Sequence, residues 1–208
     1  MTALIEHGVT TPTTEKITLA QYMALPDNGK RYELRKGELV EMPGPSISHA
    51  QIITKLARYL DIFAEANGLG QVFSDGAFIF DPKNDPNTAV RPDVAFVTQA
   101  RFEAVGDYDD VFPGISGLAV EIVSRTDYLY GVSDKIEDYL RANVRLVWVV
   151  NPRRREIFVY ELARHGRLLD ANDELDGGEV LPGFKLKVSE IFRQLRREKN
   201  QDAQYLER

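Results

Sequence analysis

Two acids stand inside strand-forming sequence: Asp93 in RPDVAFV and Glu121 in LAVEIVS. Side chains alternate along a strand, so residues two apart share a face. Asp93 shares its face with Ala95 and Val97, and Glu121 shares its face with Ala119 and Val123. Val94 and Phe96 point away from the first acid, as do Leu118, Val120 and Ile122 from the second. Each acid therefore has a small alanine beside it. A lone carboxylate in an apolar strand is costly unless it is paired or binds a cation. Two of them on adjacent strands could hold a divalent ion through hard oxygen ligands, as magnesium prefers. Plainer readings stay open. An acid after Arg91-Pro92 can be a turn or edge residue, and Glu121 can be the buried partner of an arginine.

The elements that must position these acids follow from periodicity. Ile17 to Leu25 reads as a short helix ended near Pro26. Tyr32–Leu34 and Leu39–Met42 read as a hairpin turned at Lys36-Gly37. Ile52, Ile53, Leu56, Leu60 and Phe63 recur at helical spacing, with Ser46 or Ser48 as the cap and Asn67-Gly68 as the stop. Gln71–Phe80 reads as one strand running into the turn DPKNDPN. Asp93–Val97 and Leu118–Val123 are short strands separated by an acidic loop, FEAVGDYDDVFPGIS. Ser133–Asn143 is a helix with Ile136, Tyr139 and Leu140 inward. Leu146–Val150 is the most apolar strand, and Ile157–Tyr160 follows as an edge strand after an arginine turn. A weak hairpin surrounds Gly177-Gly178, and a charged helix starts at Ser189. Consecutive strands without regularly alternating helices argue for α+β or mixed α/β. No Gly-rich phosphate loop is present.

Composition narrows the class. The 208 residues are 43% apolar and 28% charged, enough for one domain with a real core. The expected division is a loose arm over 1–16, a single domain over 17–192, and a charged helix or tail over 193–208. No apolar run is long enough to span a membrane. The first residues lack the basic and apolar regions of a secretory signal, so a cytoplasmic location is expected. Cysteine is absent, which excludes disulfides and thiolate chemistry. His7, His49 and His165 are too scattered for a multi-histidine zinc site. A net charge of −6 disfavours a general nucleic-acid coating protein but leaves room for a local basic surface.

Five pieces occur in order: YELRKGELVEMPGPSISH, RPDVAFV, LAVEIVS, DKIEDYLRANVRLVWVVNPRRREIFVYE and LPGFKLKVSEIF. Together they resemble the Uma-two (Uma2) family of restriction-endonuclease-like proteins in the PD-(D/E)XK nuclease superfamily, from about Ile17 to Phe192. The resemblance implies an α+β core, a mixed central sheet flanked by helices. It also implies phosphodiester hydrolysis assisted by Mg2+ or Mn2+. By it, Asp93 takes the place of the motif aspartate and Glu121 that of the second motif acid, both as metal ligands. The superfamily lysine two residues beyond that acid is Val123 here. Family members carry a lysine on the following helix instead, and Lys135 is the matching position. Beside Ile136, Tyr139 and Leu140 its ammonium could reach over the sheet end; equally, it could pair with Asp138 on a solvated face. Glu33 matches the acid of the YEL-x-x-G piece and is a further candidate metal or water ligand, on the strand face opposite Tyr32 and Leu34. Its alternative is a surface glutamate, and Glu38 is a weaker candidate. His49 matches a family histidine and reads as a hydrogen-bonded packing residue.

The chemistry so implied needs an attacking water, charge stabilisation at the phosphoryl oxygens and help for the leaving oxygen. Lys135 could serve the phosphate as a point charge. Lys30, Arg31, Arg35 and Lys36 beside the hairpin are the candidate DNA contacts, with Arg153, Arg154 and Arg155 as a second cluster. Such clusters are also ordinary solvated surface. The expected function is a metal-dependent DNA endonuclease. Two other readings compete: a non-catalytic module that keeps the fold, and a hydrolase of a small phosphorylated molecule whose pocket includes GDYDD. A homodimer is expected on general grounds, through IFVYE or the N-terminal arm.

Overall fold

The computed structural model describes residues 15–108, 111–115, 117–124, 129–162 and 164–193. In chain order the elements are α1 (Leu19–Met23), β1 (Arg31–Arg35), β2 (Glu38–Met42), α2 (Ile47–Asn67), β3 (Gly70–Ser74), β4 (Ala77–Asp81) and β5 (Asp85–Val90). There follow β6 (Val94–Thr98), α3 (Gln99–Val105), β7 (Val111–Pro113), β8 (Leu118–Ile122), α4 (Leu129–Arg141) and β9 (Leu146–Asn151). The last are β10 (Glu156–Glu161), β11 (Arg164–Leu169), β12 (Glu174–Asp176), β13 (Lys185–Lys187) and α5 (Val188–Phe192).

The strands form a mixed six-stranded sheet, β11-β10-β9-β8-β6-β3, a five-stranded sheet, β2-β1-β5-β4-β7, and the small pair β12-β13. This is the mixed α+β architecture expected. In the larger sheet β8 and β9 are parallel, and the chain between them is α4. Parallel neighbours need such a crossover, and it lays a helix on one face of the sheet. The other face is covered by α2. Ser46 caps that helix by accepting the His49 N–H, and Gly68 ends it at φ 62°, in the left-handed region where glycine is unstrained.

Alternation along the strands sorts the core. Val94, Phe96, Leu118, Val120, Ile122 and Trp148 pack with Ile52, Leu56 and Leu60 of α2. Ala95, Val97, Ala119, Val147 and Val149 pack with Ile136 and Tyr139 of α4. A third cluster joins Tyr22, Leu34, Ala77, Ala89 and Val111 around the five-stranded sheet.

Several expectations are corrected. Gln71–Phe80 is not one strand: it breaks at Asp75, whose φ of 58° turns the chain from β3 in one sheet to β4 in the other. The apolar residues on both sides of the break conceal it from a periodicity count. The following turn is only Pro82–Asn84, because β5 starts at Asp85 and pairs with both β1 and β4. The acidic loop is partly ordered as α3 and β7. The strand holding IFVYE is not an edge: β10 pairs with β9 on one side and β11 on the other. Backbone pairing does not require the apolar signature that RHGRLL lacks. The helix holding Lys135 begins at Leu129, and the late helix is five residues long from Val188. Residues 1–14 and 194–208, which hold most of the expected arm and tail, lie outside the described residues.

Candidate functional site

Glu121 is the fourth residue of β8 and faces α4, because its neighbours Val120 and Ile122 belong to the α2 side. Lys135 and Tyr139 are one turn apart on α4, so both come down on the same spot. The Tyr139 hydroxyl donates to Glu121 Oε1 at 2.6 Å, and Lys135 Nζ donates to both carboxylate oxygens at 3.1 Å. Lys135 Nζ also lies 3.1 Å from Glu33 Oε1. The solvated pairing with Asp138 is not what forms: Asp138 faces Arg141 at 3.7 Å.

Glu33 comes from β1 of the other sheet and is fully buried. Arg35, two residues on and hence on the same face, grips Glu33 Oε2 through Nε at 3.0 Å and Nη2 at 2.7 Å. The Arg91 backbone N–H donates to Glu33 Oε1 at 3.0 Å. The surface-glutamate alternative fits Glu38, which is exposed, and not Glu33.

Asp93 precedes β6. The antiparallel register pairs Val94 with Val120, which sets Asp93 opposite Glu121 across the strand pair. Asp93 Oδ2 accepts the Ile122 N–H at 2.7 Å, and Oδ1 is 2.9 Å from His49 Nε2. His49 is thus a hydrogen-bonded residue on α2 whose partner is Asp93 itself. His49, Asp93, Glu121, Lys135, Arg31, Arg35 and Arg91 line a cleft of about 540 Å³, with Glu33 and Tyr139 buried behind its wall.

The electrostatics follow from burial and pairing. Burial raises the Glu121 carboxyl to about 7, with Asp93 and Glu33 pushing the same way, while Lys135 and the Tyr139 hydrogen bond pull against them. Burial also pushes Glu33 up, but Lys135, Arg35 and the Arg91 N–H outweigh it and hold it below the usual carboxylate range. Burial lowers Lys135, and Glu121 and Glu33 more than reverse this, so it stays an ammonium. Burial beside these acids raises the Tyr139 hydroxyl well above its ordinary value.

Among the described residues no group of three or more His, Asp or Glu side chains forms a ready metal cage. Magnesium does not require one, since it commonly uses one or two carboxylates and completes its shell with waters and phosphate oxygens. Asp93 and Glu121 supply such a pair. The upward push that Asp93 and Glu33 exert on Glu121 is the like-charge crowding a cation relieves. Asp93 and Glu121 are thus the residues that could hold a hard divalent ion, which would share Glu121 with Lys135.

The expected basic contacts divide. Arg31 and Arg35 line the cleft. Lys30 is outside it, paired with Glu41 at 2.8 Å, and Lys36 is exposed in the hairpin turn at φ 51°. Neither they nor Arg153, Arg154 and Arg155 line the cleft. Sequence reasoning passed over Tyr139, Arg91 and Asp75 as site residues. Tyr139 was legible as the residue four beyond Lys135 on one helix. Arg91 and Asp75 act through backbone groups and inter-sheet contacts, which no spacing rule exposes.

The model of the Uma2 family, described as "Putative restriction endonuclease", matches residues 19–189. A crystal structure from Anabaena variabilis, described as a "putative nuclease belonging to DUF820", superposes with a TM-score of 0.72 at 18% identity. The match covers 85% of this chain and 97% of that one, and it shows a shared fold. A comparison with curated proteins finds no match. No helix among the described residues is long and apolar enough to cross a membrane.

Proposed function

This chain belongs to the Uma2 family, and from that premise we propose that it is a metal-dependent endonuclease hydrolysing phosphodiester bonds in DNA. The observation that carries the reading is the facing pair Asp93 and Glu121 with Lys135 beside them in one open cleft. A structural ion pair alone needs no second carboxylate opposite it and no opening to solvent.

In the reaction a water oxygen bonds to phosphorus as the bond to the leaving sugar oxygen breaks, and a proton ends on that leaving oxygen. Asp93 and Glu121 would hold the divalent ion, which when bound would activate a water and offset charge on the phosphoryl oxygens. His49 and the Ile122 N–H fix the orientation of Asp93. Tyr139 fixes that of Glu121. Lys135 offers a point charge to a phosphoryl oxygen. Glu33 keeps Lys135 ionised and in place, and as a further acid of the cluster it is the additional candidate for a metal or water ligand.

A second reading has its own observation. Both oxygens of Asp93 and both of Glu121 already meet protein donors, an arrangement a non-catalytic module could retain. Calorimetry with Mg2+ and Mn2+, with plasmid nicking on the same samples, separates the two. The wild type is expected to bind and nick. Asp93→Ala and Glu121→Ala are each expected to lose more than about 100-fold in both, since even outer partners of metal ligands cost 10–100-fold. A folded wild type that binds neither ion sinks the catalytic reading in favour of the module. Ion binding without nicking moves the substrate from DNA to a smaller phosphoester.

A further inference from the structure

Asp75 sits where the chain passes from β3 in the six-stranded sheet to β4 in the five-stranded one. Its backbone N–H donates to the Asp93 carbonyl at 3.3 Å. Its side-chain Oδ1 pairs with Arg31 Nη2 and, at 3.4 Å, with Arg91 Nε. Arg91 Nη2 adds a bond to the Asp75 carbonyl at 2.9 Å. Two guanidinium groups are thus held by one acid, which is itself tied to Asp93. Both remain about a third exposed, at 31% and 29%, and both line the cleft that contains Asp93, Glu121 and Lys135.

The charge count separates this cluster from its neighbour. Arg35 and Lys135 are balanced by the buried acids Glu33 and Glu121, two charges against two, which leaves no excess. The Arg31–Asp75–Arg91 group keeps one net positive charge. Arg31 Nε is buried without a partner, so Asp75 does not complete that guanidinium's bonding. A guanidinium fork matches phosphate oxygens in a way an ammonium does not. Held by a common acid, the two forks are placed before a ligand arrives, so little side-chain entropy is lost on binding.

We propose that Arg31 and Arg91 form a phosphate clamp for the nucleic-acid backbone, receiving a phosphate beside the one cleaved, with Asp75 as their shared anchor. The clamp rests on the nuclease reading and adds to it the group that sets register along the strand. The competing account is a purely structural tie between the two sheets.

The test uses the full chain, a fluorescein-labelled DNA duplex, and calcium as the hard divalent ion. Affinity is measured against salt concentration, with the thermal midpoint recorded for each variant. Arg31→Gln is expected to bind about tenfold more weakly and to flatten the log–log salt slope by about 1. Arg31→Lys, which keeps the charge and loses the fork, is expected to keep the slope and bind severalfold more weakly. Arg91→Gln should repeat the Arg31→Gln result; if it fails to fold, Arg31→Gln decides alone. A wild type that binds and nicks DNA, with folded Arg31→Gln at unchanged affinity and slope, overturns the clamp and leaves the nuclease standing. A wild type that binds the divalent ion but not DNA at low salt overturns both.

Discussion

One strand, β8, separates two regions with opposite physics. Leu118, Val120 and Ile122 face α2, where Ile52, Leu56 and Leu60 are completely buried against them. Ala119 and Glu121 face α4, where the buried groups include a carboxylate, an ammonium and a phenol. On the α2 side stability grows with apolar area, at about 25 cal/mol per Å² removed from water. On the α4 side attraction among Glu121, Lys135 and Glu33 mainly offsets the cost of taking them from water. The first region holds the fold together. The second has its own apolar packing around Ile136 and Tyr139, but the charged groups set within it add little net stability.

That contrast sets the order of effects. Lys135→Ala should be the most damaging, at about 3–5 kcal/mol in urea unfolding, because two buried carboxylates lose their counter-charge. Combining Lys135→Met with Glu121→Gln should cost much less than Lys135→Ala alone. If the double variant is the worse, the α4 side is a net source of stability and the contrast fails. On the other side Leu56→Ala should cost about 2–5 kcal/mol with cation binding unchanged, since nothing polar depends on it.

A pH titration of stability reads the polar side directly. From the ordinary value of 4.5 up to about 7, the folded chain keeps a proton on Glu121 that the unfolded chain has released. The Glu121 contribution to stability therefore falls as pH rises through that window. Glu33, held below the ordinary value, contributes in the opposite sense at lower pH, and its contribution is lost as pH falls through its depressed value. Glu121→Gln should remove the falling limb between about 4.5 and about 7, and an unchanged profile would count against the burial of this acid. Cation binding needs the ionised acid, so wild-type affinity for magnesium should rise with pH across the same interval. The smallest effect is expected from Tyr139→Phe. Loss of its bond to Glu121 should cost about 1.5 kcal/mol and move the falling limb to higher pH. A stabilised Tyr139→Phe would show that the phenol is strained rather than bonded.

Much of the site was legible before the fold was known, and the reasons differ by residue. Asp93 and Glu121 stood out because alternation marks a carboxylate on an otherwise apolar strand. Helical spacing brought Lys135 to the right side of its helix, but two partners were equally compatible with that spacing. Glu33 had no such mark, since an acid in a hairpin looks the same whether it faces water or protein. Its complete burial depends on which sheet face the second half of the chain covers. Lys30 and Lys36 carry the same charge as Arg31 and Arg35. Only the pleat of β1, which sends 31, 33 and 35 to one face, separates the pair that lines the cleft.

The sequence by itself determined the elements that rest on local chemistry. The capped helix from Ser46 to Gly68, the hairpin at Lys36-Gly37 and the two faces of β8 all follow from neighbours within a few residues. Tertiary structure decided what depends on residues distant in the chain. It placed Asp93 opposite Glu121, drew Glu33 from the other sheet onto Lys135, and gave one aspartate, Asp75, two arginines from different segments. Strand register and sheet exchange are set by pairing across dozens of residues. A single left-handed residue at Asp75 redirects the chain, and apolar periodicity carries no record of that turn.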